Sequence, residues 1–165
     1  MASKFVAEKI APLKSGDKVR VQTFGARNDP ANMLDQTYEI SHRVRPEAVA
    51  AITTQFIRSL PKRKGISQGA TEILGWLELH SNFDCEQGGQ ILILTDGLES
   101  SSAVQAQKFA EGKMALPKPD VSLSGCSLTF FGLGAGLPTH MAKNIRSGWE
   151  TWAKKAGADF RAVIP

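Results

Sequence analysis

The stretch Gln90-Ile91-Leu92-Ile93-Leu94-Thr95-Asp96-Gly97-Leu98-Glu99-Ser100-Ser101 decides how this chain is read. Four consecutive aliphatics with nothing polar between them suit a strand covered on both faces, the kind found in the parallel sheets of α/β domains. An Asp-Gly pair follows at once, then a serine cluster. Ser102 and Gln105 stand at capping-box spacing, so a helix is expected to begin there. Asp96 therefore sits at the carboxyl end of a buried strand, the edge along which open α/β sheets bind ligands. The plainer reading of the same residue is an Asp that caps its own turn, as Asp-Gly pairs often do.

Upstream of this strand, Phe5, Val6, Ile10 and Leu13 at helical spacing predict a helix over residues 4–14. Ser15-Gly16-Asp17 closes it, and the alternation in residues 18–25 predicts a strand. Asn28-Asp29-Pro30 is turn chemistry within a loop, and residues 36–40 form a short edge strand. Pro46 suits the first turn of a helix carrying Val49, Ile52, Phe56 and Leu60 on one face. A further helix begins near Thr71.

Downstream, a helix with Val104 and Phe109 leads to Pro117-Lys118-Pro119, which breaks it. Residues 126–134 form another buried strand. Thr139 is placed to cap a helix whose Met141, Ile145, Trp149, Trp152 and Ala156 make one stripe, read as core and not as a stacking platform. Gly157 ends that helix, and residues 159–164 are a last strand.

Four segments of this order resemble the von Willebrand factor A domain family. Ile-Leu-Ile-Leu-Thr-Asp-Gly at 91–97 is similar to its fourth strand and third metal-site loop. Ser-Gly-Asp-Lys-Val-Arg-Val-Gln-Thr-Phe-Gly at 15–25 is similar to its first helix exit and second strand. Gly69-Ala70-Thr71-Glu72-Ile73-Leu74-Gly75-Trp76-Leu77 resembles the second metal-site loop, in which a Thr hydroxyl binds the cation as a helix begins, and Gly132-Leu133-Gly134-Ala135-Gly136 matches the glycine-rich turn usual after the next strand. The resemblance implies a single domain over 1–165. Its fold would be a three-layer, doubly wound, mostly parallel α/β sheet with helices on both faces. It also implies a divalent cation such as Mg2+ at the strand ends, with Thr71 and Asp96 as ligands, Ser67 as a fallback, and Glu99 and Ser100 as secondary candidates. For Thr71 the alternative is a hydroxyl that caps its own helix.

The resemblance also implies something missing. Family members begin with a central strand running into Asp-x-Ser-x-Ser, the first metal-site loop, whereas this chain starts in the helix after it. The literal match at Asp120-Val121-Ser122-Leu123-Ser124 follows Lys118-Pro119 and precedes a strand, so it is a chance match in a loop. With two loops of three, cation binding is expected to be weak or absent, because Mg2+ needs several oxygens in near-octahedral array. The sheet is expected to close either by direct pairing of the strands at 19–24 and 91–94 or by a segment from a second copy, since open edges recruit other chains.

Composition sets the remaining bounds. The 165 residues, 42% hydrophobic and 22% charged, describe a globular domain with a core. No apolar run approaches the length of a membrane span, and the first ten residues lack the apolar stretch of a signal peptide, so the chain as given reads as cytoplasmic. Cys85 and Cys126 are too few and too far apart for a metal knuckle or a disulfide framework, and are read as reduced thiols.

Function follows the resemblance: an interaction module, not an enzyme, whose partner is another protein and which has no membrane association. His42, His80 and His140 lie in separate segments with no nucleophile at a suggestive spacing. An alternative is a phosphoryl-transfer or receiver-like enzyme with Asp96 as phospho-acceptor, which needs an acidic pair and a lysine at other strand ends. Gly25 and Gly132 stand there instead. A nucleic-acid reading through Lys62-Arg63-Lys64, Arg58 and Arg43 rests on charge alone, in a chain of net charge +4. The dinucleotide fingerprint fails at Leu137-Pro138, where its third glycine should stand.

Overall fold

The order of elements expected from the sequence is the observed order. The computed structural model describes residues 1–25, 34–60, 71–79, 83, 85 and 88–164. It contains α1 (Ala2–Ile10), β1 (Lys18–Gln22), β2 (Asp35–Glu39), α2 (Pro46–Ser59), α3 (Ile73–Leu79), β3 (Gln90–Leu94), α4 (Ala106–Ala110), β4 (Ser127–Phe131), α5 (Thr139–Ala156) and β5 (Asp159–Val163). The architecture is mixed α/β with a three-stranded parallel sheet. The chain falls into two compact units, Met1–Gly69 and Ala70–Pro165. Among the described residues no helix is long and apolar enough to cross a membrane.

In the first unit, α1 and α2 pack together and bury Val6, Ile10, Val49, Ala50 and Thr53. The first helix is shorter than its periodicity predicts: it stops at Ile10, and the tail through Leu13 and Lys14 turns into the Asp17 loop, where the Asp17 carboxylate accepts the Lys14 amide at 2.7 Å. Pro46 occupies the first turn of α2, as its fixed φ favours. Strands β1 and β2 form an antiparallel pair with Lys18 opposite Glu39 and Gln22 opposite Asp35. Arg20 grips Asp35 through two hydrogen bonds of 2.8 and 2.7 Å. Both side chains are about half exposed, so the pair fixes register more than it adds stability.

The second unit is built on β3, β4 and β5, parallel and in that order. Leu94, Phe131 and Val163 stand in line at the carboxyl edge, and Gln90, Ser127 and Asp159 at the amino edge. Helix α5 carries the largest part of the core. Ile145, Trp149, Trp152, Ala153 and Ala156 are buried, as the stripe predicts, and Met141 at its end is half-buried. The Trp149 ring meets Phe130 of β4 at 4.9 Å and the edge of Trp152 at 5.7 Å, separations at which aromatic pairs attract. Phe109 of α4 closes on the same ring at 6.5 Å, and Gly157 in the left-handed region ends α5.

Several expectations are corrected. Residues 101–104 form a turn in which Ser101 and Val104 exchange backbone hydrogen bonds. The helix therefore starts only at Ala106, with Gln105 at its N-cap and no side-chain cap, and the capping box of Ser102 and Gln105 does not form. Thr139 is likewise the first residue of α5, not its cap; Pro138 takes that position with no side-chain bond, its fixed φ serving instead. Among the described residues β1 is paired with β2 in one sheet and β3 with β4 in another.

The two cysteines are not reduced thiols. Cys85 and Cys126, separated by 41 residues in sequence, form a disulfide. Spacing along the chain misleads here, because parallel pairing of β3 with β4 brings together the segments that precede them. The Asp120–Ser124 match lies in loop, as expected, with Val121 and Leu123 buried. The loop with Asn28-Asp29-Pro30, the basic run at 62–64, Ser67 and His80 lie outside the described residues, while His42 and His140 are exposed.

Candidate functional site

The carboxyl edge of the parallel sheet is assembled from three turns. Beyond Leu94 the chain makes one more sheet bond, from the Thr95 amide to the Phe131 carbonyl at 3.1 Å, and then turns. The Asp96 Oδ1 accepts the Leu98 amide at 3.0 Å and the Thr95 hydroxyl accepts the Gly97 amide at 3.1 Å. Asp96 thus caps its own turn, as the plainer reading holds. One accepted bond leaves a carboxylate most of its lone pairs, and Asp96 is exposed, so the turn does not exhaust it.

This turn is held from two sides. The Gly134 amide of the glycine-rich turn after β4 donates to the Asp96 carbonyl at 2.7 Å. From α5, the buried Trp149 indole N–H donates to the Gly97 carbonyl at 2.9 Å. Gly97 itself has φ +80° and lies against Leu133 and Ile145. Asp96 is therefore presented on a rigid support, which sequence reading assigned to the tryptophan only as core.

The third turn arrives through Glu99. Its Oε2 accepts the Ile73 amide at 2.8 Å and the Leu74 amide at 3.1 Å. These are among the first amides of α3, which lack partners within the helix. One residue on, the Ser100 amide donates to the Thr71 carbonyl at 2.9 Å. The loop at Thr71 and the loop at Asp96–Ser100 are thereby joined by three hydrogen bonds. The alternative role of Thr71, capping α3, belongs at these two amides to Glu99.

Glu99 has no exposed surface. Burial pushes its carboxyl above the ordinary carboxylate range, against the opposing pull of the Leu74 amide, the Ser101 hydroxyl and the Ile73 amide, while the Glu72 charge adds to the rise. Its Oε1 accepts no hydrogen bond among the described residues. Glu99 thus clamps the two loops together, with no exposed surface of its own.

No family model, curated protein or solved structure matches the chain. What the residues can hold must be judged from their own chemistry. Among the described residues no group of three or more His, Cys, Asp and Glu side chains converges. Thr71 and Ser100 are half-buried and Asp96 exposed; all three carry hard oxygen atoms, the donor type that Mg2+ and Ca2+ take. Sequence reasoning selected Thr71, Asp96 and Ser100 but missed the clamp role of Glu99 and the support from Trp149 and Gly134. No local signal marks the clamp, because Glu99 stands in a polar turn with Asp96 and reaches amides 25 and 26 residues upstream.

Proposed function

We propose that the chain is a protein-interaction module of the A-domain type, not an enzyme, with its doubly wound sheet presenting the turn at Asp96 and the loop at Thr71 to a partner protein. The observation that carries this reading is the linkage through Glu99 and Ser100, which makes two separate loops one surface beside an exposed carboxylate. Asp96, Thr71 and Ser100 would hold a weakly bound Mg2+ or similar ion, with Ser67 in reserve. When bound, such an ion offers a coordination position to a carboxylate of the partner. The chain's own residues orient the site: Trp149 and Gly134 fix the Asp96 turn, and Glu99 ties α3 to it. The partner is another protein, a second copy of this chain included.

The test is a photoreactive side chain placed at exposed position 102 in the full chain, with a control at exposed position 155 on α5. Expected is a discrete protein adduct from position 102 that weakens when Asp96→Ala is added, and none from position 155. Equal labelling from both positions would contradict the reading. So would a phosphoryl group acquired by Asp96 from a small-molecule phosphodonor, which would favour the receiver-like enzyme.

A further inference from the structure

The disulfide lies at the opposite end of the sheet from the candidate site. Cys85 precedes β3 and Cys126 immediately precedes β4. The sheet register sets them side by side: the Ser127 amide donates to the Gly89 carbonyl at 3.0 Å, and the Gly88 amide to the Cys85 carbonyl at 3.0 Å. Gly125 lets the two segments touch, since a Cβ there would stand 2.5 Å from the Cys85 carbonyl oxygen, and its φ is +89°. With a Cα separation of 4.5 Å, the pair lies within the range that a disulfide bridges without moving the backbone. The Cys126 carbonyl accepts the Asp159 amide at 2.9 Å, so the second cysteine is also fixed to β5.

We propose that Cys85–Cys126 is a permanent structural disulfide and that this chain matures in an oxidising compartment. Cytosolic thiols are kept reduced, and stable disulfides belong to secreted, periplasmic or lumenal proteins. The bond forms by thiol–disulfide exchange with a disulfide-bearing oxidant. One S–S bond is made in this chain and one is broken in the oxidant, which takes up both electrons and both protons. Cys85 is 7% exposed and Cys126 2%. A reductant must therefore open the amino edge before it reaches sulfur, which suits a staple and not a switch. The cytoplasmic expectation gives way with the reading of the cysteines as free thiols. The ring that the bond closes contains β3, the Asp96 turn and α4, so the disulfide restrains the strand that carries the candidate site.

The full chain is isolated from its own cells after acid quenching and alkylated with a mass tag before and after reduction. The expected result is no tag on either cysteine before reduction and one on each after it. Tags on both cysteines in the quenched sample would overturn the proposal, as would a partly tagged pool that changes with growth conditions. The purified protein gives a second reading. Millimolar dithiothreitol should open the bond slowly under native conditions and quickly in denaturant, and equal rates would overturn the structural role. If it folds, the Cys85→Ser/Cys126→Ser variant should melt about 8–15 °C lower than the oxidised chain, the span expected for releasing a loop of this length in a protein of this size.

Discussion

Replacing Gly97 with valine should cost about 4–6 kcal/mol and leave little folded protein, because the substitution offends both the backbone and the core. A Cβ at this position would lie 2.3 Å from Leu133 Cδ2 and 2.9 Å from Ile145 Cγ2. Both side chains are buried and backed by other core residues, so neither can step aside cheaply. The φ of +80° adds about 1–2 kcal/mol for any residue with a Cβ and more for a β-branched one. If the turn shifts to relieve the clash, the Trp149 indole N–H loses the Gly97 carbonyl and is left buried without a partner, at about 1–3 kcal/mol. The sum is a large part of the ~5–15 kcal/mol that stabilises an ordinary domain. Urea denaturation of Gly97→Val beside Gly97→Ala measures it, the alanine variant falling between valine and wild type. A valine variant within about 0.5 kcal/mol of wild type, the scatter of neutral surface changes, would show that the Asp96 turn is not held as described.

Glu99→Ala should be the second large effect, with a pH dependence that identifies its cause. Removing the carboxylate strips the Ile73 and Leu74 amides of their acceptor. It also leaves a void, so the net loss should be about 2–4 kcal/mol at neutral pH. The sign of the pH effect follows from the raised value of the Glu99 carboxyl. In the folded chain it holds its proton to a higher pH than in the unfolded chain, where it titrates near the ordinary value of about 4.3. The folded state therefore binds more protons across this window. The stabilisation is fully present below the unfolded value and is lost as pH rises through the folded one. Wild type should lose stability over that interval relative to Glu99→Ala, so the measured cost of the substitution should be greatest at acid pH. Glu99→Gln keeps an acceptor oxygen for the amides and has no proton to lose. It should be less destabilised than the alanine variant and should lack the Glu99 contribution to the slope. Denaturation midpoints of the three proteins across pH decide this, and parallel curves for wild type and Glu99→Gln would remove the buried carboxyl as the cause.

The elements were legible where composition and period agree. The aliphatic run at 91–94 reads as a strand, although only Ile91 and Ile93 of it are buried and Leu92 and Leu94 are half-buried; the stripe from Ile145 to Ala156 reads as a core helix and Gly157 as a helix end, because each signal lies within one element. Helix starts were legible less often. Ser102 and Thr139 are good caps by residue type, yet neighbouring chain decides them: Ser101 and Val104 tie off a turn first, and Pro138 already sets the entry to α5. Contacts between distant segments left almost no local trace. Glu99 reaches amides 25 and 26 residues upstream, and Cys85 meets Cys126 only because two strands run parallel in one register. Asp96 stands out as a residue type at a strand end and Thr71 as one before a helix, but the clamp that joins their loops leaves no such mark.

On the proposed reading, the loop at Thr71 and the turn at Asp96–Ser100 form one cation-competent surface. Paramagnetic broadening of backbone amide signals by substoichiometric Mn2+ tests it most directly, because broadening reports proximity even when binding is weak. The amides of Thr71, Asp96, Gly97 and Ser100 should broaden together, those of Gly89 and Ser127 at the amino edge should stay sharp, and Asp96→Ala should abolish the effect. Broadening centred elsewhere, or unchanged by Asp96→Ala, would contradict the claim.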